Sequence, residues 1–362
     1  MLQNTGLYGR ITFFFLLTGW LVGLGIFILL RFHGTGLNPD WMDQPYELIP
    51  AWLVAGLVVS LFHYFAVLLS DSRRFRRRSY SFFVVFQLFT VIVILFTVLL
   101  IGRLASFFSG QLTLRQILPS LLAQLTAILG TGSILFLLVW TMMLTFTRQM
   151  MVKTGPQVLG NLLLGKYHRP RVESRIFLFL DMQSSTSIAA RLGHQLYSRL
   201  IQECFYDLTD SIVKHKVEVY QYIGDEAVLT WRVPDGLRNG NCVRVYFDFI
   251  HLLRKRSAYY QQEYKVVPFF KCGLNIGPVT VTEIGVVKRE IAYLGDVLNT
   301  AARIQGMCNE LGQGILLSRA LKEHLEVQPE LSFQSMGSFA LRGVQQEEEL
   351  FAVSADGEWI TY

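Results

Sequence analysis

Charge is scarce in this 362-residue chain: 17% of its residues are Asp, Glu, Lys or Arg, against 52% apolar. It has four cysteines, Cys204, Cys242, Cys272 and Cys308, and no two of them form a CxxC pair, which argues against a zinc site. No GxxxxGK[ST] stretch is present, which excludes a Walker-type phosphate loop. No internal repeat or low-complexity tract stands out. The long apolar runs carry no charges in their interiors, which removes the support for a cation channel or transporter.

What is abundant is apolar sequence, and it is unevenly spread. Four runs, at about 11–31, 50–70, 81–102 and 118–147, each reach the ~20 residues that a membrane-crossing helix needs. The first is too long, and wrongly flanked, for a cleaved signal peptide. Basic residues set the orientation. The segment 71–80, DSRRFRRRSY, carries five arginines, whereas the loop after the first run carries Asp40, Asp43 and Glu47. This arrangement predicts both termini in the cytoplasm, with the arginines beside anionic lipid and no role for nucleic acid. Trp20, Trp52 and Trp140 fit interfacial belts. His63 lies inside the second run and His33 ends the first. No second mid-run histidine pairs with His63, so it reads as a hydrogen-bonded residue and not as a haem ligand. The expected division is a four-span domain over 1–147, a linker over 148–173 and a globular domain over 174–362. All four cysteines fall in the last part and are expected as free thiols. The ligand of the membrane part, if it has one, is not readable from sequence.

The second half alternates strand and helix patterns. IFLFLD (176–181) is a short buried strand ending in a carboxylate. A helix is predicted around 194–215, then two strands within 217–231 about Gly224-Asp225, then a helix over about 240–261. Strands follow near 266–275, 278–283 and 289–294, then a helix from the YLGDVLNTAAR stretch, then strands near 331–341 and 349–354. The order β-α-β-β-α-β predicts an α+β fold with a split βαβ sheet of the ferredoxin-like kind.

Two carboxylates occupy special places: Asp181 at a strand end and Asp225 at a hairpin tip. Singly, each reads as a helix cap or an ordinary turn residue. Neighbouring strands would bring them together, and crowded carboxylates need a counter-charge, which Mg²⁺ or Mn²⁺ supplies. The small hydroxyl residues after Asp181 (Ser184, Ser185, Thr186) leave backbone N–H groups at a helix start available to a phosphate. Asn299 and Arg303, four apart, share one helix face.

FLDMQSST, YIGDE, GLNIGPVTVTEIG and YLGDVLNTAARI, in that order, resemble the successive motifs of class III nucleotidyl cyclases, over about 174–355. The linker and the cyclase-like portion also resemble bacterial membrane-anchored members, which implies a place in a bacterial inner or plasma membrane. The resemblance implies the cyclisation of a nucleoside triphosphate with release of pyrophosphate, using two Mg²⁺ (or Mn²⁺). It implies that Asp181 and Asp225, with Met182, hold the metals, that Asn299 positions the ribose and that Arg303 neutralises the phosphate under attack. Ser184, Ser185 and Thr186 would cradle the β and γ phosphates, and Arg342 falls near a lysine that contacts the triphosphate in many members. The metal acids and the Asn/Arg pair of one site come from different chains in this family, which implies a homodimer. Base selection falls to Gln221 and Ala292. Gln221 can donate and accept, and Ala292 reads nothing through its side chain. ATP is the expected substrate. A guanylate cyclase and a non-catalytic nucleotide-binding membrane sensor are the alternatives. Ser185 stands where an aromatic residue is common, which predicts a local repacking.

Overall fold

The computed structural model divides into two compact units, Met1–Thr154 and Gly155–Tyr362. The structure describes residues 7–34, 49–70, isolated positions between 86 and 122, 133–154, and 166–355 apart from 288, 327 and 344–346.

Among the described residues of the first unit, the long helices are α1 (Leu7–Gly34), α2 (Ile49–Ser70) and α3 (Ser133–Thr154). Pro50 lies in the first turn of α2, where its missing N–H breaks no helical bond. Leu16, Trp20, Val59, Val67, Ile94 and Leu144 pack at the centre. Among them Ser60, His63 and Thr141 are fully buried, while Phe14, Phe65, Leu135 and Phe146 point outward. Ser60 and Thr141 hydroxyls donate to carbonyls one turn back, at 2.5 Å to Gly56 and 2.7 Å to Leu137. His63 is hydrogen-bonded, as expected: its Nδ1 accepts from Trp20 Nε1 at 3.0 Å, and its Nε2 lies 3.4 Å from Thr145 Oγ1. This imidazole therefore links all three helices. Among the described residues no helix is long and apolar enough to cross a membrane; side chains are described along only part of α1 and α2. The expected third run, the first half of the fourth, the arginine segment 71–80 and the His33 side chain lie largely or wholly outside the described residues.

The second unit is a mixed eight-stranded sheet with helices. Its strands are β1 (Arg171–Met182), β2 (Glu218–Ile223), β3 (Glu226–Arg232), β4 (Phe270–Ile284), β5 (Glu290–Leu294), β6 (Ile315–Ser318), β7 (Leu331–Phe339) and β8 (Glu348–Ala355). The order is β2-β3-β1-β4-β6-β8-β7, with β5 paired to the far end of β4. Every neighbouring pair is antiparallel except β4 and β6. This matches the expected α+β class with a mixed sheet. Successive strand residues face opposite sides. Leu178, Leu180, Met182, Leu229, Trp231, Phe270, Cys272 and Leu274 face one side, where α4 (Ser185–Lys214), α5 (Asn241–Lys255) and α6 (Ser257–Tyr264) build the main core. Phe177, Val228, Val279 and Val281 face the other, where α7 (Asp296–Glu310) packs through Val297 and Ala301.

Several predicted elements change. The strands expected at 266–275 and 278–283 are one, β4. Gly277-Pro278 does not break it, because Pro278 falls between the stretches that β6 and β5 pair with. The helix expected at 194–215 starts at Ser185 and is interrupted at Gly193, whose φ of 72° and ψ of 162° are non-helical. The helix expected over 240–261 is two, with Arg256 between them. β6 and the short helix α8 (Arg319–His324) were not anticipated. Four buried residues are too few to show an alternation. All four cysteines are free and buried, as expected.

Candidate active site

The register of the sheet builds the site. Asp181, near the end of β1, lies opposite Glu226 of β3 on one side and Lys271 of β4 on the other. Paired residues share a face, so the row Glu226–Asp181–Lys271 runs across three strands on the side that α7 covers. Lys271 Nζ is 3.7 Å from Asp181 Oδ2. Gln305 of α7 donates its Nε2–H to the same oxygen at 3.1 Å. Met182, next in the chain, points to the opposite face and is buried in the main core. Only its backbone is available to the site.

The turn between β2 and β3 supplies the second acid. Gly224 takes a φ of 61°, in the left-handed region that glycine tolerates, and so lets the hairpin close at Asp225. The Asp225 carboxyl lies close enough to Asp181 for its charge to act on it. Burial first, and then the charge of Asp225, pushes the Asp181 carboxyl above its usual range, with Lys271 acting against both. Glu226 is pushed up to about 7 by burial and then by Asp181 and Asp225. Asp225 Oδ2 is buried and takes no hydrogen bond.

These features fit a divalent cation. Two crowded carboxylates, one with a buried oxygen lacking any partner, are short of positive charge. Mg²⁺ binds through one or two carboxylates with waters and phosphate oxygens completing its shell. Among the described residues no group of three or more His, Cys, Asp or Glu side chains is arranged to hold a metal without such help.

The other predicted residues are distributed as follows. Ser184 adopts φ 58° at the N-terminus of α4, with Ser185 half-buried and Thr186 exposed behind it. Asn299 and Arg303 are exposed on α7. Gln221 is exposed on β2, beside a bulge between Val219 and Gln221, and Ala292 is buried on β5, opposite Thr282. Arg342 is exposed in a turn after β7. Of the predicted set, the structure brings Asp181 and Asp225 close enough for the charge of one to act on the other, with Ser184 and Ser185 following Asp181 in the chain. Three contributors went unnoticed in the sequence: Lys271, Glu226 and Gln305. A lone lysine inside the apolar FFKCGL stretch was the signal for Lys271. Lys288 lies outside the described residues, and Arg289 pairs with Glu283 at 3.6 Å.

Two acids at the head of a mixed sheet, with an exposed amide and guanidinium on the helix above it, define a class of domain suited to a metal-bound anion. The chain belongs to the adenylate and guanylate cyclase catalytic domain family, whose model matches residues 168–355. It is 30% identical over 238 residues to "Adenylate cyclase 2" of Rhizobium meliloti (strain 1021), a match covering 66% of this chain and 63% of that protein. It is 21% identical over 181 residues to "Adenylate cyclase 1" of the same organism, covering 49% of this chain and 27% of that one. The chain thus spans less than two thirds of the curated relatives it matches. Among solved structures, a bacterial light-regulated adenylyl cyclase superimposes with a TM-score of 0.51 at 20% identity, over 61% of this chain and 65% of that one.

Proposed function

We propose that the chain is a membrane-anchored adenylate cyclase that converts ATP to 3′,5′-cyclic AMP and pyrophosphate at sites shared between two copies. The observation that carries this reading is the crowding of the Asp181 and Asp225 charges, together with the buried Oδ2 of Asp225 that takes no hydrogen bond.

The geometry of α7 supports the shared site. At about 100° per residue, Arg303 projects about 160° and Asn299 about 120° around the helix from Gln305. Gln305 is bound to Asp181 of its own chain, so the exposed Asn299/Arg303 face points away from that chain's acids. A second copy, placed across this face, supplies the acids that Asn299 and Arg303 serve, and two equivalent sites result.

Asp181 and Asp225 would hold the divalent cations, with the Met182 backbone beside them. When bound, these ions lower the pKa of the 3′-hydroxyl and draw charge from the α-phosphate and the leaving pyrophosphate. Backbone N–H groups over Ser184, Ser185 and Thr186 receive phosphate oxygens at the start of α4. Lys271 offsets the negative charge gathered around Asp181. Asn299 orients the ribose, so that its hydroxyl and the α-phosphate of one folded nucleotide are held in line. Arg303 donates to the non-bridging oxygens as their charge grows; removing such a donor typically costs about 10²–10³ in rate. Arg342 reaches toward the triphosphate from its turn. ATP is favoured over GTP because both curated relatives bear the name adenylate cyclase.

The membrane reading has separate support. The first unit turns large apolar side chains outward and serine, threonine and histidine inward, the reverse of what water selects. The four apolar runs of the sequence have spanning length. The basic segment at 71–80 keeps both termini, and the catalytic unit, on the cytoplasmic side.

The test is a product assay on detergent-solubilised full-length protein with Mn²⁺, comparing ATP with GTP, joined to mixing of two inactive variants. Asp181→Ala and Arg303→Ala are each expected to be inactive. An equimolar mixture should recover roughly a quarter of wild-type activity, since half the dimers are mixed and each holds one intact site of two. No recovery, in a mixture shown to contain mixed dimers, refutes the shared site. No product from either nucleotide refutes the cyclase reading and leaves a nucleotide-binding sensor.

A further inference from the structure

Gln305 is out of keeping with its side of α7. The helix buries Val297, Ala301, Ile304 and Cys308, and Gln305 lies among them with 7% of its surface exposed. A buried amide costs free energy unless its polar atoms are bonded. Its Nε2–H meets Asp181 Oδ2 at 3.1 Å. The seat of this turn is fixed by close contact with β4: the Cys308 Sγ–H donates to the Cys272 carbonyl at 3.3 Å, and a Cβ at Gly273 would fall 2.2 Å from the Gln305 backbone N. Lys271, two residues before Gly273 on the same face of β4, approaches the same Asp181 oxygen at 3.7 Å. Both donors therefore meet Oδ2. Among the described residues no hydrogen bond or ion pair ends on Oδ1, and the Asp181 side chain keeps 25% of its surface exposed.

We propose that Gln305 is a positioning residue for Asp181, anchoring Oδ2 so that Oδ1 is presented to a divalent cation. An amide suits this task because it donates a hydrogen bond without carrying charge. A second ammonium beside Lys271 would hold the carboxylate equally well but would repel the ion. Outer partners of this kind set metal affinity through ligand orientation. Gln305 and Arg303 stand two apart on α7 and so on opposite sides of it. Gln305 therefore serves the acids of its own chain, while Arg303 serves those of the second copy. The inference rests on the proposal that the two acids hold divalent metal.

The experiment uses full-length protein in detergent, with Gln305→Met and Gln305→Leu. Met keeps the length of the side chain without the donor, and Leu continues the apolar stripe should Met pack poorly. Binding of Mn²⁺ without nucleotide is read from the electron paramagnetic resonance signal of the unbound ion. Both variants are expected to bind Mn²⁺ about 10-fold or more weakly. Their kcat should return close to wild type at saturating Mn²⁺, with the loss confined to the KM for metal. Unchanged Mn²⁺ affinity overturns the inference, as does a loss of kcat that saturating metal does not restore. Mixing separates positioning from a shifted helix. At limiting Mn²⁺, Gln305→Met mixed equally with Arg303→Ala should recover roughly a quarter of wild-type activity, and mixed with Asp181→Ala it should gain nothing. Any other pattern, where Asp181→Ala and Arg303→Ala do restore each other, overturns the inference. Where they do not, the shared site fails and the Mn²⁺ affinity alone decides the role of Gln305. If wild type binds Mn²⁺, Asp181→Asn abolishes binding and Gln305→Met leaves it intact, only the role of Gln305 fails. If wild type binds no Mn²⁺, the metal reading of the acids fails with it.

Discussion

Gly273 offers the sharpest test of how the fold positions the site. This residue of β4 faces α7 directly. A Cβ there would sit 2.2 Å from the backbone N of Gln305, 2.5 Å from the carbonyl O of Ala301 and 2.7 Å from the Gln305 Cα. Ordinary contact begins at 3.4 Å, so Gly273→Ala must move the two backbones apart by about 1 Å. Backbone atoms cannot rotate out of the way as a side-chain tip can. Overpacking of this kind costs about 1–3 kcal/mol, which for a domain of this size lowers Tm by roughly 3–10 °C. The functional cost exceeds the structural one. α7 carries Gln305, bonded to Asp181, and on its other side Asn299 and Arg303. A displacement of about 1 Å at reacting groups typically costs about 10² in rate. Thermal unfolding and cyclic nucleotide formation at saturating Mn²⁺ would be measured together on Gly273→Ala. The expected result is a modest fall in Tm with a loss of activity near 100-fold. Activity within twofold of wild type, at an unchanged Tm, would refute the claim that the close seating of α7 on β4 sets the site.

Two further outcomes follow from the acid row. Glu226 in the unfolded chain releases its proton near the ordinary value of 4.5, but in the folded protein it holds it up to about 7. Between those values the unfolded state binds fewer protons, so stability is full below 4.5 and falls as pH rises through 7. Metal-free protein in EDTA should therefore show a Tm that drops from pH 5 to pH 7.5, and Glu226→Gln should flatten the drop; a wild-type Tm that stays level or climbs over that range contradicts the crowding of the three acids. Lys271→Met removes the cation beside Asp181 while keeping the length of the side chain, and activity is expected to fall about 10²-fold; a variant within twofold of wild type would show that Lys271 has no part in the site.

The sequence made the two aspartates legible because each stands where an element ends, and such positions can be read from local patterns. The alternation of strand and helix likewise pointed to the α+β sheet. The contributors brought in by register were not legible. Nothing local says that Glu226 and Lys271 will flank Asp181, since that depends on how β3 and β4 align with β1. Gln305 was hidden for a related reason. It shares the buried side of α7 with Ala301, Ile304 and Cys308, and a polar residue on an apolar stripe reads as an imperfection until its partner is known. Two strands were expected near 266–275 and 278–283, but pairing with β1 runs on through Arg175↔Gly277 and Ser174↔Pro278. In the helical unit, the inward placement of His63 could be read from its isolation in an apolar run, whereas its bonds to Trp20 and Thr145 join residues far apart in the chain.

The opposed faces of α7 carry a consequence for control. On the proposed reading, one helix is a component of two catalytic centres at once, so no centre can be retuned in isolation. A lone copy has its acids but no guanidinium opposite them, and it is silent however much nucleotide surrounds it. Output then depends on how often two copies meet in the plane of the bilayer. Anything that crowds or disperses them becomes a dial on second-messenger production, without touching the nucleotide pocket.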